Sequence, residues 1–390
     1  MKVIYVILAP LSFYYGKFLN IENFQKSEFK VEICDLSLMF YSKKDIKSYF
    51  DNTKNYNLKL KNKIVIKNFK SYEDYLNKQD PKKTIIYYTG RSFYKKYDDE
   101  IYFNYLFNKG FKIFLSEFSI EFFPTNIKEK LRLKYFIIKN NLKFRNYKNL
   151  NFIGCGENIM KISNKIYRNL NYFSFPHPNY YWKESKKNSK ISYYIEESLD
   201  QSPDNRLSHK TNSVYKGFKL GSNSFINSDQ KTIKKFYNKL NNFFSYIEKN
   251  YNTKIKILAS GKFFYKKNPF NGREIIYNDT IKHISKSKFI IGHSSTALWQ
   301  SFISKKKLII LADDLLSKAK LAEIKSFSLK TKTPILQMDE ITKFKKYITS
   351  YSGSDNQNFI YYFLNNNNKK FNKSFKNLML DCFIKVFKKG

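Results

Sequence analysis

Short apolar runs recur along the chain, with amphipathic stretches between them. Val3 to Leu8, Lys30 to Cys34, Ile64 to Ile66, Thr84 to Tyr88, Phe111 to Leu115 and Leu150 to Ile153 have the length and content of buried strands. Ser12 to Phe24 and Tyr102 to Asn108 carry apolar residues at helical spacing. Strand, helix, strand near the amino end predicts a parallel α/β domain, with Leu150 to Ile153 as its last strand. The pattern then restarts. Ile191 to Ile195, Lys254 to Ala259, Glu274 to Tyr277, Phe289 to Ile291 and Leu308 to Ala312 read as strands, and Gln230 to Tyr251 as a long helix. Beyond Asp314 the pattern loosens until Phe371 to Phe387, a final helix with Phe375, Leu378, Met379, Cys382, Phe383 and Val386 on one side.

The predicted organisation is an α/β domain over 1–174, a proline-rich linker over 175–190, a second α/β domain over 191–370, and a basic amphipathic helix over 371–390. Two basic stretches have competing readings. Lys128 to Leu150 interleaves Leu131, Leu133, Phe136, Ile137 and Ile138 with Lys and Arg, which predicts a solvated helix with an apolar core face; a membrane-surface contact is the alternative. The final helix likewise predicts ordinary packing, with membrane association as the alternative.

Composition narrows the function classes. At 390 residues with 42% hydrophobic content, the chain can form two real cores. The net charge of +40 invites a nucleic-acid reading, but six of the 72 basic residues are Arg, and Lys is scattered throughout. A specific nucleic-acid partner is not expected, because bidentate base contacts favour Arg. The charge does favour anionic lipid and nucleotide phosphates. Cys34, Cys155 and Cys382 form neither a metal spacing nor a disulfide framework, so a reducing compartment fits. No run reaches the length of a membrane span. The expected location is cytoplasmic, with peripheral contact at the inner face of the plasma membrane.

The candidate chemistry lies at strand ends of the second half. Gly292-His293-Ser294-Ser295-Thr296 joins a strand to a helix, where hydroxyl caps and free N–H groups would seat a phosphate. Glu196, Glu197 and Asp200 follow the strand ISYYI and could deprotonate an acceptor hydroxyl or hold a ribose. Gly261 and Lys262 follow KIKILA, where Gly allows close approach and Lys neutralises phosphate. Arg273 is a scarce arginine just before a strand, and Thr280 is positioned as a helix cap. Asp98-Asp99 and Asp313-Asp314 read as ordinary turns, so no metal site is expected.

The run KIKILASGKFFYKKNPFNGREIIYNDTIKHISKSKFIIGHSSTALWQSFISKKKLIIL resembles the nucleotide-binding half of bacterial surface-polysaccharide glycosyltransferases of the GT-B type. YYIEESLDQSPD resembles the acidic strand-end segment of that group, and FPHPNYYW its interdomain segment. The set is similar to that of sialyltransferase-like enzymes, except that Ser260-Gly261 stands where relatives often carry His-Pro. The resemblance covers Phe175 to Asp313, and the first half only through its β/α pattern. It implies two Rossmann-like domains facing a cleft and metal-independent sugar transfer. The donor would be a nucleotide-sugar, with CMP-linked donors in view, and the acceptor a cell-surface polysaccharide or lipid-linked glycan. No cofactor beyond the donor is implied. Glu196 or Glu197 would occupy the acidic motif, and Ser294, Ser295 and Thr296 would bind the donor phosphate. The alternatives are a polyol-phosphate transferase using a CDP-linked donor and a non-catalytic basic binding protein.

Overall fold

The computed structural model describes residues 1–51, 62–89, 99–117, 131, 134–135, 138, 149–155, 171–175, 190–197, 199, 224–227, 229–261, 264–277, 280–304, 306–350 and 375–388. The chain divides into two compact units, each built on one parallel sheet.

The first unit holds β1 (Lys2–Ile7), β2 (Lys30–Asp35), β3 (Lys63–Val65), β4 (Thr84–Tyr88), β5 (Lys112–Glu117), β6 (Leu150–Cys155) and β7 (Asn171–Phe175). Their order is β3-β2-β1-β4-β5-β6-β7. β1 and β4 are apolar along nearly their whole length because both faces of a parallel sheet are covered. The C-terminal helix, Phe375–Lys388, supplies part of that cover. Phe383 stacks on Phe114 with ring centroids 4.0 Å apart and also meets Phe24 and Tyr87. The Lys112 ammonium donates to the carbonyl of Val386 at 3.3 Å, satisfying an acceptor near the helix C-terminus. The apolar stripe of this helix is therefore a core face.

The second unit holds β8 (Ile191–Ile195), β9 (Lys254–Ala259), β10 (Ile275–Tyr277), β11 (Phe289–Gly292), β12 (Lys307–Ala312) and β13 (Ile335–Gln337). Their order is β10-β9-β8-β11-β12-β13, again all parallel. The Gln230–Tyr251 helix buries Phe236, Leu240, Phe243, Phe244 and Ile247 at helical spacing. It starts where the Asp229 carboxylate accepts from the Thr232 N–H at 2.6 Å and ends at Asn252 in the left-handed region, with φ of 42°.

Several expectations need correction. Ser12 to Phe24 is two short helices, Phe13–Phe18 and Ile21–Gln25, broken where Asn20 takes φ of 60°. Leu150–Cys155 is not the last strand of the first unit. β7 follows it and takes Phe175 from the expected linker, the rest of which, up to 189, lies outside the described residues. β7 escapes a reading by hydrophobicity because it is an edge strand with polar residues among its aromatics. β13 and the Lys318–Thr331 helix were likewise not anticipated. In the basic stretch, Leu131, Lys134, Tyr135 and Ile138 are helical and exposed, while Leu133, Phe136 and Ile137, the rest of the expected apolar face, lie outside the described residues. Among the described residues, no helix is long and apolar enough to cross a membrane.

Candidate functional site

β8 and β11 are neighbours, with Ile290 opposite Tyr193 and Ile291 opposite Tyr194. From β8 the strand order runs one way to β9 and β10 and the other way from β11 to β13. The carboxyl ends of β8 and β11 thus flank the topological switch point, where open α/β sheets bind ligands. The sheet brings together here two segments that lie far apart in sequence: Glu196-Glu197 and Gly292 to Ser295.

Glu197 is the hub. Its Oε1 accepts from the backbone N–H groups of His293, Ser294 and Ser295 at 3.1, 2.6 and 2.8 Å. Its Oε2 receives the Lys320 ammonium at 2.5 Å and a longer contact from Ser294 Oγ at 3.4 Å. Lys320 also donates to Ser294 Oγ at 2.7 Å and to Glu323 at 3.1 Å. The turn expected to offer free N–H groups to a phosphate therefore has three of them already taken by a carboxylate of the same chain. Burial alone would raise the Glu197 pKa, but the Lys320 charge and the donors around the carboxylate hold it below the ordinary value. An ionised carboxylate so fully bonded is a poor proton acceptor.

Lys320 was not singled out in the sequence, where it is one of 72 basic residues. Burial would lower its pKa, yet Glu197 and Glu323 outweigh that and raise it. It stands at the start of the Lys318–Thr331 helix, whose cap Ser317 accepts from the Lys320 N–H at 3.2 Å. Only the fold brings this lysine to Glu197.

His293 corrects a second expectation. Its ring is fully buried, with Nδ1 2.8 Å from the Leu311 carbonyl and Nε2 3.0 Å from the Tyr194 hydroxyl. A carbonyl can only accept, so Nδ1 carries the proton and neutral Nε2 accepts from Tyr194. Burial lowers its pKa despite the Glu197 charge. The imidazole is a satisfied core group packed on Phe236 and Tyr194, and only its backbone N–H joins the site. Gly292 is required by packing: a Cβ there would meet Leu298 Cδ2 at 2.7 Å.

Arg273 lies elsewhere. Its guanidinium donates to Glu248 at 2.8 Å, Asn241 at 3.0 Å and Ser245 at 3.0 Å, and sits over the Phe244 ring. Glu248 also accepts from the Ile255 N–H at 2.9 Å, at the amino end of β9. Arg273 therefore ties the long helix to the edge of the sheet opposite the switch point. Glu196 is buried beside Glu197, and Gly261 and Thr280 follow β9 and β10. Ser295 Oγ accepts from the Ala297 N–H at 3.3 Å, and Thr296 opens the short turn Thr296–Leu298. Asp200 and Lys262 lie outside the described residues.

Next along the same edge, Asp313 and Asp314 after β12 and Asp339 after β13 bring three carboxylates within 4.8 Å of one another. The Lys239 ammonium lies among them, at 3.0, 2.9 and 2.7 Å. A protein cation thus occupies the place that a metal ion would take.

No protein-family model matches the sequence, and no curated protein matches it either. Solved structures do. Spinosyn forosaminyltransferase SpnP matches with a TM-score of 0.51 and 9% identity, over 99% of this chain and 99% of that one. The H444N variant of the wall teichoic acid polymerase TagF matches at 0.48 and 10% identity, over 100% and 89%. Acinetobacter baumannii MurG matches at 0.43 and 8% identity, over 90% of each chain. Two parallel Rossmann-like sheets and the end-to-end likeness to SpnP define a GT-B fold.

Proposed function

We propose that the chain is a glycosyltransferase that uses a nucleotide-sugar donor, with its donor site at the β8/β11 switch point. The observation that carries this reading is the convergence of Glu196, Glu197, Ser294, Ser295 and Lys320 at that one edge. The likeness to SpnP, a forosaminyltransferase, supports it at the level of fold.

In this reading the leaving nucleotide phosphate gains negative charge beside the turn. The hydroxyls of Ser294 and Ser295 and the charge of Lys320 stabilise it, and Gly261 and Thr280 follow the adjoining strands. Thr296 and Lys262 are phosphate-binding candidates by sequence alone. Glu197 is a positioning residue that fixes the turn. The proton of the acceptor hydroxyl goes to Glu196, with Asp200 the next candidate. CMP-linked donors and a surface-polysaccharide or lipid-linked acceptor follow from the sequence resemblance. No metal is assigned to the reaction.

Thermal shifts with CMP, CDP, UDP and GDP test the reading, on the native chain and Ser295→Ala side by side. A ligand of the folded state must raise the melting temperature. One nucleotide should do so in the native chain and lose most of its effect in the variant. No shift with any of the four would remove the donor site from this edge.

A further inference from the structure

Eight large apolar side chains are prominently exposed among the described residues, and three of them fall between 131 and 138. Leu131, Tyr135 and Ile138 are 60%, 67% and 61% exposed, while Val65, Ile101, Ile226, Phe264 and Leu329 are scattered singly. Single exposed apolar residues are ordinary, but a cluster needs a reason. The backbone at Leu131, Lys134, Tyr135 and Ile138 is helical. By sequence, intervals of four and three are those of one helical stripe, with Lys134 next to Tyr135. From 128 to 148 the sequence carries Lys128, Lys130, Arg132, Lys134, Lys139, Lys143, Arg145 and Lys148 against the single acid Glu129. An apolar helical stripe in a strongly basic stretch is the composition of a helix that lies on an anionic bilayer.

We infer that the face formed by Leu131, Lys134, Tyr135 and Ile138 docks on an anionic lipid bilayer. Charge selects this occupant over a second copy of the chain. The protein carries +40, so self-association through this stripe would bring two basic stretches together. Phospholipid phosphates supply the opposite charge, and acyl chains take the three apolar side chains. This surface is independent of the proposed donor site.

Vesicle co-sedimentation of the full chain tests this, with phosphatidylcholine alone and with phosphatidylcholine containing phosphatidylglycerol. Binding should require the anionic lipid and weaken with salt, and the triple variant Leu131→Ser/Tyr135→Ser/Ile138→Ser should bind about tenfold or more weakly. Leu329→Ser, which removes an isolated exposed leucine, should bind like the native chain. Binding that the triple variant retains in full, equal binding to neutral vesicles, or no binding to either would overturn the inference. So would a native dimer, seen by sedimentation, that the triple variant loses. Should the triple variant not fold, Tyr135→Cys carrying a polarity-sensitive dye gives the answer: its emission must shift to the blue on anionic vesicles, and an unchanged spectrum would equally overturn the inference.

Discussion

Glu197 and Lys320, 123 positions apart, meet at 2.5 Å in the interior of the second unit and close the carboxyl end of its sheet. Their side chains are only 8% and 10% exposed, so neither charge has much water to fall back on. A buried pair of this kind is costly to break from one side, because the remaining charge is stranded. Lys320→Met should lower the unfolding free energy by about 3–5 kcal/mol. Adding Glu197→Gln should return part of that loss. Urea unfolding of the two single variants and the double variant checks it, and simply additive losses would deny the coupling.

The same site fixes a pH dependence. His293 is held neutral in the fold, so its folded pKa lies below the ordinary 6.5. Its contribution is present above 6.5 and fades as pH falls from there through the lower folded value. Glu197 has its folded pKa below the ordinary 4.5, so its contribution is full above 4.5 and is lost as pH falls through that lower value. Stability should therefore decline in two stages on acidification. His293→Gln should remove the first stage and leave the second, as melting temperatures between pH 8 and pH 3.5 would show. A native profile that is flat between 6.5 and 5 would contradict the buried neutral imidazole.

How far this was legible in sequence follows from which forces act locally. β4, β8 and β9 match their apolar runs residue for residue, and the Gln230–Tyr251 helix matches its periodicity, because burial writes itself into consecutive residues. The turn at Gly292 and the acids after ISYYI were visible as strand ends. Their adjacency was not, since strand order is a tertiary property. Lys320 had no local signature at all. Arg273 and His293 misled for one reason: a scarce polar residue stands out in sequence whether it meets a ligand or satisfies the core.

Gly292 offers a steric test. A methyl group there would overlap Leu298, which packs 2.7 Å from the added carbon. Gly292→Ala should cost about 1–3 kcal/mol, a common range for overpacking. Leu298→Ala creates a space of its own, but the two changes together should cost less than their sum. Denaturant midpoints of the three variants decide it. A double variant at or below the additive value would mean that the backbone, and not Leu298, limits the site.

Arg273 separates fold from function. Its fork joins Glu248, Asn241 and Ser245, an arrangement that a lysine ammonium cannot copy. Arg273→Lys should destabilise by about 2 kcal/mol, the scale of hydrogen bonds to a charged group lost in a half-buried setting. The shift in melting temperature given by the preferred nucleotide should stay the same as in the native chain. A variant of native stability that no longer responds to nucleotide would return Arg273 to the donor site.

Lys239 makes a prediction about metal. Its ammonium bridges Asp313, Asp314 and Asp339, which would otherwise repel one another. Burial raises the pKa of Asp313, while the Lys239 hydrogen bond lowers that of exposed Asp314, so the cluster is sensitive to the cation beside it. With Lys239 in place the native chain should show the same melting temperature in EDTA and in millimolar magnesium. Lys239→Met leaves three oxygen ligands within 4.8 Å of one another. Hard divalent cations favour carboxylate oxygens, and a cation bound only by the folded state raises its stability. The variant should therefore be less stable in EDTA and recover in magnesium or calcium. If the native chain itself gains stability from magnesium and loses it to EDTA, Lys239 does not hold the cluster, and a metal becomes part of this sheet edge.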